Sequence, residues 1–419
     1  MRVLRQRDFA LYFAGNVLSN CGTWFQNIAQ SLLVYRLTGS VFLVGVVNFA
    51  QFAGVIVLAP WSGTAADRYD RKWLIIWTQL GAVAVTGSLA ILTAFGVESV
   101  PLIVLLAAVL GLISAFGGPA LQAVVPQLVP DEDVSQAITM TSVTFNLARA
   151  VGPVMGAFVV SGLGIAWAFG LNALSYGALV GAMLVVRMRP ITPRPHGQAT
   201  NFAASLRLVR NSPQLLLLLA IVGSVGFCLD PVTTLGPEFA TKIFHHSDTV
   251  TGYLIGAFGA GAVVAAFIAS GANARPYRRI SLMLVFLVGG ALGFALSPTL
   301  AVALIVLPLA GFGYLAGHTR ATALLLTTVG EHERGRISAI WAVCFLGTRP
   351  IASLIDGALA QLIGARFAAT VILLPTAVVA ALVISKARAY DQLRSAAPVF
   401  DVTNTVSASP AEPEEGVGG

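Results

Sequence analysis

This chain of 419 residues has very little charge, since Asp, Glu, Lys and Arg make up only 10% of it, against roughly 25% in an ordinary soluble domain. Cysteine is also scarce. Cys21, Cys228 and Cys344 all fall in apolar segments and lack the spacing of a disulfide framework. Hydrophobic residues, by contrast, make up 57% of the chain. The composition excludes an ordinary soluble domain and predicts a membrane protein.

Several chemical motifs are absent as well. The sequence has no Gly-x-x-x-x-Gly-Lys-Ser/Thr phosphate loop, which argues against ATP hydrolysis as a direct energy source. It has no Gly-x-Ser-x-Gly nucleophile motif and no His/Cys group with metal-ligand spacing, because the adjacent His245 and His246 do not easily turn to one ion. We therefore expect neither an enzyme nor a metal or other cofactor.

Apolar runs of about 20 residues recur along the chain, and each is long enough to cross a hydrocarbon core of about 30 Å as a helix. They predict twelve spans. These begin near Phe9, Val41, Trp73, Pro101, Ser135, Ile165, Pro213, Val250, Ile280, Leu300, Gly335 and Ala365.

Most of the 25 Lys and Arg residues fall at the two ends of the chain and in every second loop. Only Arg36, Lys242 and Arg366 fall in the alternate set of loops. By the positive-inside rule, the cation-rich loops and both termini are predicted to be cytoplasmic. The net charge of +7 is therefore a sign of membrane topology, and we expect no nucleic-acid partner.

The chain aligns with itself when it is shifted by about 200 residues, so that glycines of the first half meet glycines of the second. The pairs are Gly45 with Gly252, Gly54 with Gly261, Gly111 with Gly311, and Gly117 with Gly317. Six spans repeated in parallel predict two similar bundles, residues 1–187 and 213–388. Between them, residues 188–212 are predicted to form a linker with a short amphipathic helix or a plain solvated linker, and 389–419 a disordered cytoplasmic tail.

The loop between the second and third spans carries Gly63, Asp67, Arg68, Arg71 and Lys72. This spacing resembles the Gly-x-x-x-Asp-Arg/Lys-x-Gly-Arg-Arg/Lys loop of major facilitator superfamily transporters, with Asp70 where the family usually has glycine. The resemblance implies a gate in which Asp67 engages the positive dipole end of the eleventh helix. A role in topology alone is the alternative.

A second motif, in the fifth span, consists of Arg149, Gly152, Pro153 and Gly156. It resembles the Gly-Pro-x-x-Gly antiporter motif of exporters in this superfamily. Together with Arg5 to Phe9 and Arg349-Pro350, it makes the chain similar to the enterobactin-exporter-like and macrolide-efflux-like branch of proton-driven exporters. A close-packing glycine face, without any role in export, explains the same residues.

Ionisable residues inside apolar spans usually face a cavity or a partner, because a bare charge in hydrocarbon is costly. Arg349 and Asp356 are seven residues apart, which places them on nearly the same helix face. With His318, Arg320 and Asp230, they are the candidates for proton coupling. A structural ion pair, a hydrogen-bonded histidine and helix-end chemistry are the respective alternatives.

Amide side chains form a helical stripe along the first span. The candidates for a substrate cavity are Asn16, Asn20, Asn27 and Gln30 of that stripe, with Gln51, Gln122 and Asn146 of later spans. Hydrogen bonds between neighbouring helices are the alternative role for these amides. A cavity of amides, a few cations and phenylalanines suits an amphipathic or weakly anionic organic molecule.

The sequence is therefore predicted to fold as an all-α membrane protein of twelve helices in two six-helix bundles. The expected function is proton-coupled export of amphipathic drugs, siderophores or other secondary metabolites by alternating access, powered by the proton motive force. We expect a monomer in the bacterial inner membrane, with the lipid bilayer, a small molecule and protons as its partners. An importer, a lysophospholipid-type lipid facilitator and a non-transporting sensor are the alternatives.

Overall fold

The structure is a computed structural model and describes residues 2–189, 202–268, 275–329 and 331–396. Within these residues every regular element is a helix, in agreement with the predicted all-α class. Short connections join successive long helices, whose ends therefore lie on two faces. We call the face with the start of the first helix the basic face, and the face with the Gly39–Ser40 connection the opposite face.

The first half of the chain contains six long helices: α1 Arg7–Thr38, α2 Val41–Arg68, α3 Arg71–Phe95, α4 Val100–Val124, α5 Val134–Gly162 and α6 Ile165–Val185. The second half contains α7 Phe202–Asn211, α8 Pro213–Thr234, α9 Gly236–Glu238, α10 Val250–Ile268, α11 Pro276–Leu296, α12 Leu300–Thr328, α13 Glu331–Leu346, α14 Thr348–Ile363, α15 Ala365–Val371 and α16 Leu374–Ala396. A π-helical stretch, Phe239–Ile243, follows α9.

The helices begin and end where local side chains satisfy their terminal backbone groups. Ser40, Asp70, Ser212 and Thr299 each accept a hydrogen bond from a backbone N–H in the first turn of the helix that follows, as N-caps do. Gly39, after α1, has a φ of 64°, a left-handed conformation that glycine adopts without steric cost.

Ten helical segments within the described residues are long and apolar enough to cross a membrane. The two other predicted spans are α1 and α5, of 32 and 29 residues, and the amides of α1 lower its hydropathy. The predicted starts agree with the observed helices to about one turn, so twelve spans are consistent with the structure. The sequence did not predict the breaks of the eleventh span at Gly347 and of the twelfth at Ile372.

The internal repeat is visible in the packing of the two halves. A Cβ added at Gly54 of α2 would lie 2.8 Å from the carbonyl carbon of Gly111 of α4. At the equivalent crossing of α10 and α12, a Cβ at Gly261 would lie 2.6 Å from the carbonyl carbon of Pro308, and one at Gly311 would overlap the α10 backbone. Real Cβ atoms do not approach so closely, so the aligned glycines permit the same helix crossing in both halves.

One predicted boundary differs from the structure, and one predicted helix is present. The tail was predicted to begin at residue 389, but α16 continues to Ala396. Asp391 holds this extension in place by accepting hydrogen bonds from the backbone N–H groups of Tyr277 and Arg278 at 3.0 and 3.2 Å. In the linker the amphipathic helix is present as α7, and its Val209 is buried against the second half. Residues 397–419 lie outside the described part of the chain.

Candidate functional site

The two halves meet where α2 packs on α14 and α5 packs on α10. We call the part of these contacts near the opposite face the seam. A Cβ added at Gly45 of α2 would clash with the carbonyl oxygen of Ser353 of α14. On the other side of the bundle, a Cβ at Gly252 of α10 would overlap the side chain of Ala157 of α5. Close approach of the halves at the seam therefore depends on glycine at both places.

Polar side chains cross the seam beside Gly45. Asn48 Nδ2 donates to Thr234 Oγ1 at 3.3 Å, and this oxygen lies 2.8 Å from Ser353 Oγ. Nearer the opposite face, the hydroxyl groups of Tyr35 and Thr241 are 2.8 Å apart. The first half is thus hydrogen-bonded to the second at two levels.

An ion pair joins the halves at the edge of the opposite face. Arg36 Nη2 donates to Asp248 Oδ1 at 3.0 Å, and Arg36 Nε donates to the other carboxylate oxygen. The sequence analysis missed this pair, although Arg36 was one of the few cations in the alternate set of loops. Nearby, Lys242 donates to Glu238 at 3.0 Å, and this hydrogen bond raises the pKa of Lys242.

Three of the predicted cavity amides form a hydrogen-bonded chain between α1 and α2. Gln30 Nε2 donates to Gln51 Oε1 at 3.0 Å, and Gln51 Nε2 donates to Asn27 Oδ1 at 2.9 Å. Gln30 and Gln51 are almost completely buried. We call these three residues the amide chain.

The other predicted cavity residues do not join this chain. Asn20 donates to the backbone and side-chain oxygens of Asn16, one turn earlier in α1. The hydroxyl of Thr23, between Asn20 and Asn27 on α1, lies 3.0 Å from the hydroxyl of Tyr176 of α6. Gln122 is exposed near the end of α4, and the side chain of Asn146 lies outside the described part of the chain.

A second polar cluster lies within the first half, and the sequence analysis did not identify it. Gln26 of α1 is buried, and its Oε1 accepts hydrogen bonds from Asn172 of α6 at 2.7 Å and Thr86 of α3 at 3.0 Å. The sequence feature that could have revealed this cluster is the amide of Gln26, which lies one turn before Gln30 and outside the predicted stripe. These bonds connect three helices of one half, as polar side chains do in membrane bundles.

Arg349, at the start of α14, lies about midway through the bundle and reaches the first half. Its guanidinium carbon is 4.8 Å from the ring centre of Phe52 in α2 and 5.7 Å from that of Trp24 in α1. Both distances permit cation–π attraction. A cation of the second half thus rests on aromatic rings of the first, next to the amide chain.

Asp356 lies two turns beyond Arg349 on α14 and has no exposed surface. It is within electrostatic reach of Cys228 in α8, on a stretch of α14 whose neighbours Ser353 and Gly357 pack against α2. Arg349 is only 9% exposed. In this conformation, protein therefore largely encloses both side chains.

His318 of α12 lies among aromatic side chains. Its ring centre is 4.2 Å from that of Phe345 and 5.7 Å from that of Trp341, both in α13. Arg320, two residues further along α12, is half-buried. The side chain of Asp230 lies outside the described residues.

The predicted gating loop supports the ends of other helices of the first half. Asp70 caps α3 by accepting a hydrogen bond from the backbone N–H of Trp73 at 3.1 Å, which gives a local reason for aspartate where the family usually has glycine. Arg71 donates to the carbonyl of Ala123 in α4, and Lys72 donates to two carbonyls at the end of α6. Arg68 is exposed. Gly63 lies near the end of α2, and the side chain of Asp67 is not among those that the structure describes.

The glycines of the antiporter-like motif lie against α1. A Cβ at Gly152 would be 2.6 Å from Cβ of Trp24, and one at Gly156 would be 2.9 Å from Cα of Phe25. The motif therefore lets α5 approach α1 closely at Trp24, whose ring Arg349 also contacts. The side chains of Arg149 and Pro153 are not among those that the structure describes.

The chain matches a family described as "Transmembrane secretion effector" over residues 1–412. It is 23% identical to the staphyloferrin A transporter of Staphylococcus aureus over 364 residues, 84% of this chain and 89% of that protein. It is 29% identical to the enterobactin exporter EntS of Citrobacter koseri over 342 residues, 80% of each chain.

Among solved structures, it resembles a bacterial homologue of the human lysosomal transporter Spinster, with a TM-score of 0.74, 13% identity, and coverage of 92% of this chain and 97% of that one. That likeness shows the fold, and the match of residues 1–412 shows the family. The chain therefore belongs to the transmembrane secretion effector family of the major facilitator superfamily, and it is a multi-pass membrane transporter rather than an enzyme.

Proposed function

We propose that the chain is a proton-coupled exporter of amphipathic small molecules, siderophores or similar secondary metabolites, and that it works by alternating access. The observation that carries this proposal is the position of Arg349, which reaches from one half to the aromatic rings of the other, between the seam and the basic face. Transporters built from parallel repeats bind their substrate where the halves meet, near the middle of the membrane.

The groups around Arg349 favour one class of substrate. Trp24 and Phe52 offer aromatic faces, Arg349 offers a cation, and the amide chain begins one residue from Phe52 at Gln51. Such a site suits an organic molecule with an apolar or aromatic body and polar or weakly anionic groups. The printed names of the relatives, a staphyloferrin A transporter and an enterobactin exporter, support siderophore-like compounds.

Direction and energy source complete the proposal. We place the chain in a bacterial inner membrane, with the basic face and both termini on the cytoplasmic side, since Lys and Arg are enriched on that face. Export from that side is supported by the antiporter-like motif and by the name of the exporter relative. Asp356 and His318 are the proposed proton-carrying groups, and Asp67 is the proposed gate residue. The proposed working unit is a monomer that needs no cofactor.

The test of export is uptake of a labelled catecholate or carboxylate siderophore into inside-out vesicles with an imposed proton gradient. We expect uptake that a protonophore abolishes and that Arg349→Gln reduces at least tenfold. Arg278→Gln removes an exposed cation from the basic face and serves as the matched control. Uptake only in the reverse direction would favour an importer. Transport of lipid without transport of siderophore would favour the lipid facilitator, and binding of siderophore without its movement would favour the sensor.

Coupling is tested separately. Asp356→Asn is expected to abolish gradient-driven uptake while substrate binding remains, because the amide cannot carry the proton. His318→Gln is expected to flatten the dependence of uptake on pH. Wild-type gradient dependence in both variants would refute these two residues as the coupling groups without affecting the transport assignment.

A further inference from the structure

A pocket on the basic face of the first half has no role in the proposed transport cycle. It has a volume of about 470 Å³ and lies between the start of α1, the α4–α5 connection and the end of α6. Arg7, Arg187 and Arg189 surround it, Leu128 and Met188 contribute apolar surface, and Asp8 is the one acid of its lining. The lining therefore carries an excess of two positive charges at the level where the helices end.

The bonds that shape the pocket leave its guanidinium groups exposed. The backbone N–H of Arg187 donates to Asp8 Oδ1 at 3.2 Å, and that of Arg189 donates to the carbonyl of Gln127 at 3.0 Å. The side chains of Arg7, Arg187 and Arg189 are all exposed. The pocket walls are thus held by backbone groups, and the three arginine side chains remain accessible.

Two of the acids close to the pocket are engaged by other residues, and Asp131 beside them is exposed. Glu132 forms an ion pair with Arg2 at 2.7 Å, and Asp133 accepts a hydrogen bond from Gln6 Nε2 at 2.7 Å. These contacts fasten the first residues of the chain to the α4–α5 connection. The ion pair with Arg2 also offsets the negative charge of Glu132 near the pocket arginines.

An exposed apolar surface of α3 and α6 lies next to the pocket. Leu184 and Val185, at the end of α6 and close before the pocket residue Arg187, are 55% and 53% exposed. Trp73 and Trp77 of α3 are 52% and 67% exposed. Lys72 binds the α6 carbonyls of Leu184 and Val186 and holds the two helices together there. Tryptophan at this level is typical of the interface between lipid headgroups and acyl chains.

We propose that this pocket binds the headgroup of an anionic phospholipid, with the acyl chains along the exposed surface of α3 and α6. The phosphate charge meets guanidinium groups that are suited to phosphate oxygens. The chains meet apolar side chains and indole rings. The site requires only that the basic face borders the membrane, so it is independent of the direction of transport and of the substrate.

The experiment measures retention of lipid by the purified full-length chain, using native mass spectrometry with phosphatidylglycerol or phosphatidylcholine added to the detergent. We expect preferential retention of phosphatidylglycerol. The double variant Arg187→Gln/Arg189→Gln is expected to weaken it roughly 30-fold, because each surface cation near anionic lipid contributes a factor of about five. The backbone bonds of these two residues are retained.

The matched control is Arg278→Gln/Arg279→Gln, which removes two exposed arginines from the basic face of the second half. It is expected to leave the preference unchanged, and Arg7→Gln provides a further pocket variant if the double variant is poorly folded. Equal weakening in the control pair would show diffuse attraction to the whole face and overturn the proposal. Displacement of the lipid by millimolar inorganic phosphate would overturn it as well, since it would indicate a site for the free anion.

Discussion

Replacement of Gly45 by alanine is a direct test of the seam, because one methyl group decides whether the halves can approach. The added Cβ would clash with the carbonyl oxygen of Ser353 and lie 3.1 Å from its carbonyl carbon. Both are backbone atoms of α14, so a change of rotamer cannot relieve the clash. The helices must move apart, and the conformation with a closed seam is destabilised relative to one with an open seam.

Overpacking of this kind typically costs about 1–3 kcal/mol, which corresponds to a roughly 5-fold to 150-fold shift in the ratio of open to closed seam. The gain in helix propensity from glycine to alanine, about 1 kcal/mol, applies to both conformations and cancels in the ratio. Gly87→Ala in α3 is the matched control, since a Cβ there meets no atom within 4 Å. It is expected to leave the ratio unchanged.

The ratio can be followed by double electron–electron resonance between spin labels on the opposite face, in a background without the native cysteines. Exposed positions of the two halves are available at Val97 and Leu362. Gly45→Ala is expected to move population to a longer distance, and Gly252→Ala to do the same from the other side of the bundle. An unchanged distance distribution in Gly45→Ala would refute close packing at the seam as a determinant of the conformational equilibrium.

Three further substitutions test polar contacts. Asp391→Ala removes both acceptors at the start of α11 and is expected to cost about 0.5–2 kcal/mol, seen as a lower unfolding temperature in detergent. An unchanged temperature would contradict the cap. Arg366→Gln loses two hydrogen bonds from the guanidinium group to carbonyls at the end of α11, and the free energy of unfolding is expected to fall by about 1–3 kcal/mol. Full recovery of stability in Arg366→Lys would argue against a need for the two-pronged guanidinium group. Arg36→Gln breaks the partly exposed pair with Asp248 and is expected to shift the seam by only about 0.2–1 kcal/mol, measured with the same spin labels; a larger shift than in Gly45→Ala would reverse the ranking of packing over charge.

The sequence was sufficient to predict the helices and their repetition, because both are recorded in local patterns. Apolar runs report a membrane span directly, and the glycines that matched in the alignment, such as Gly54 with Gly261, lie at equivalent helix crossings. Asp70 illustrates a departure from a family pattern with a local cause, since its side chain caps α3.

The predicted site was only partly recovered, because periodicity describes one helix at a time. It placed Asn27 and Gln30 on one face of α1 but could not show that both bond to Gln51 of α2. It also missed Gln26, whose partners belong to α3 and α6. Pairs of residues on different helices, like Arg36 and Asp248, depend on tertiary packing that no local pattern contains.

The two sides of the seam differ in which surrounding molecules can replace their contacts when the two halves separate. On the α5–α10 side, Phe158 and Tyr253 meet edge to face and are largely exposed, so lipid can replace this contact with little change in free energy. On the α2–α14 side, Thr234 and Ser353 are almost completely buried and hydrogen-bonded with Asn48. Hydrocarbon offers these groups no partner.

Separation of the α2–α14 side is therefore favourable only if water enters from the opposite face as the polar groups part. Opening the seam and hydrating the space between the halves are then one event, which alternating access requires of the state that releases substrate. Replacement of Thr234 by valine and Ser353 by alanine removes the need for water, and it is expected to favour an open seam less than either glycine replacement does. An open seam that stays dry in hydroxyl-radical labelling of α14 would contradict this coupling.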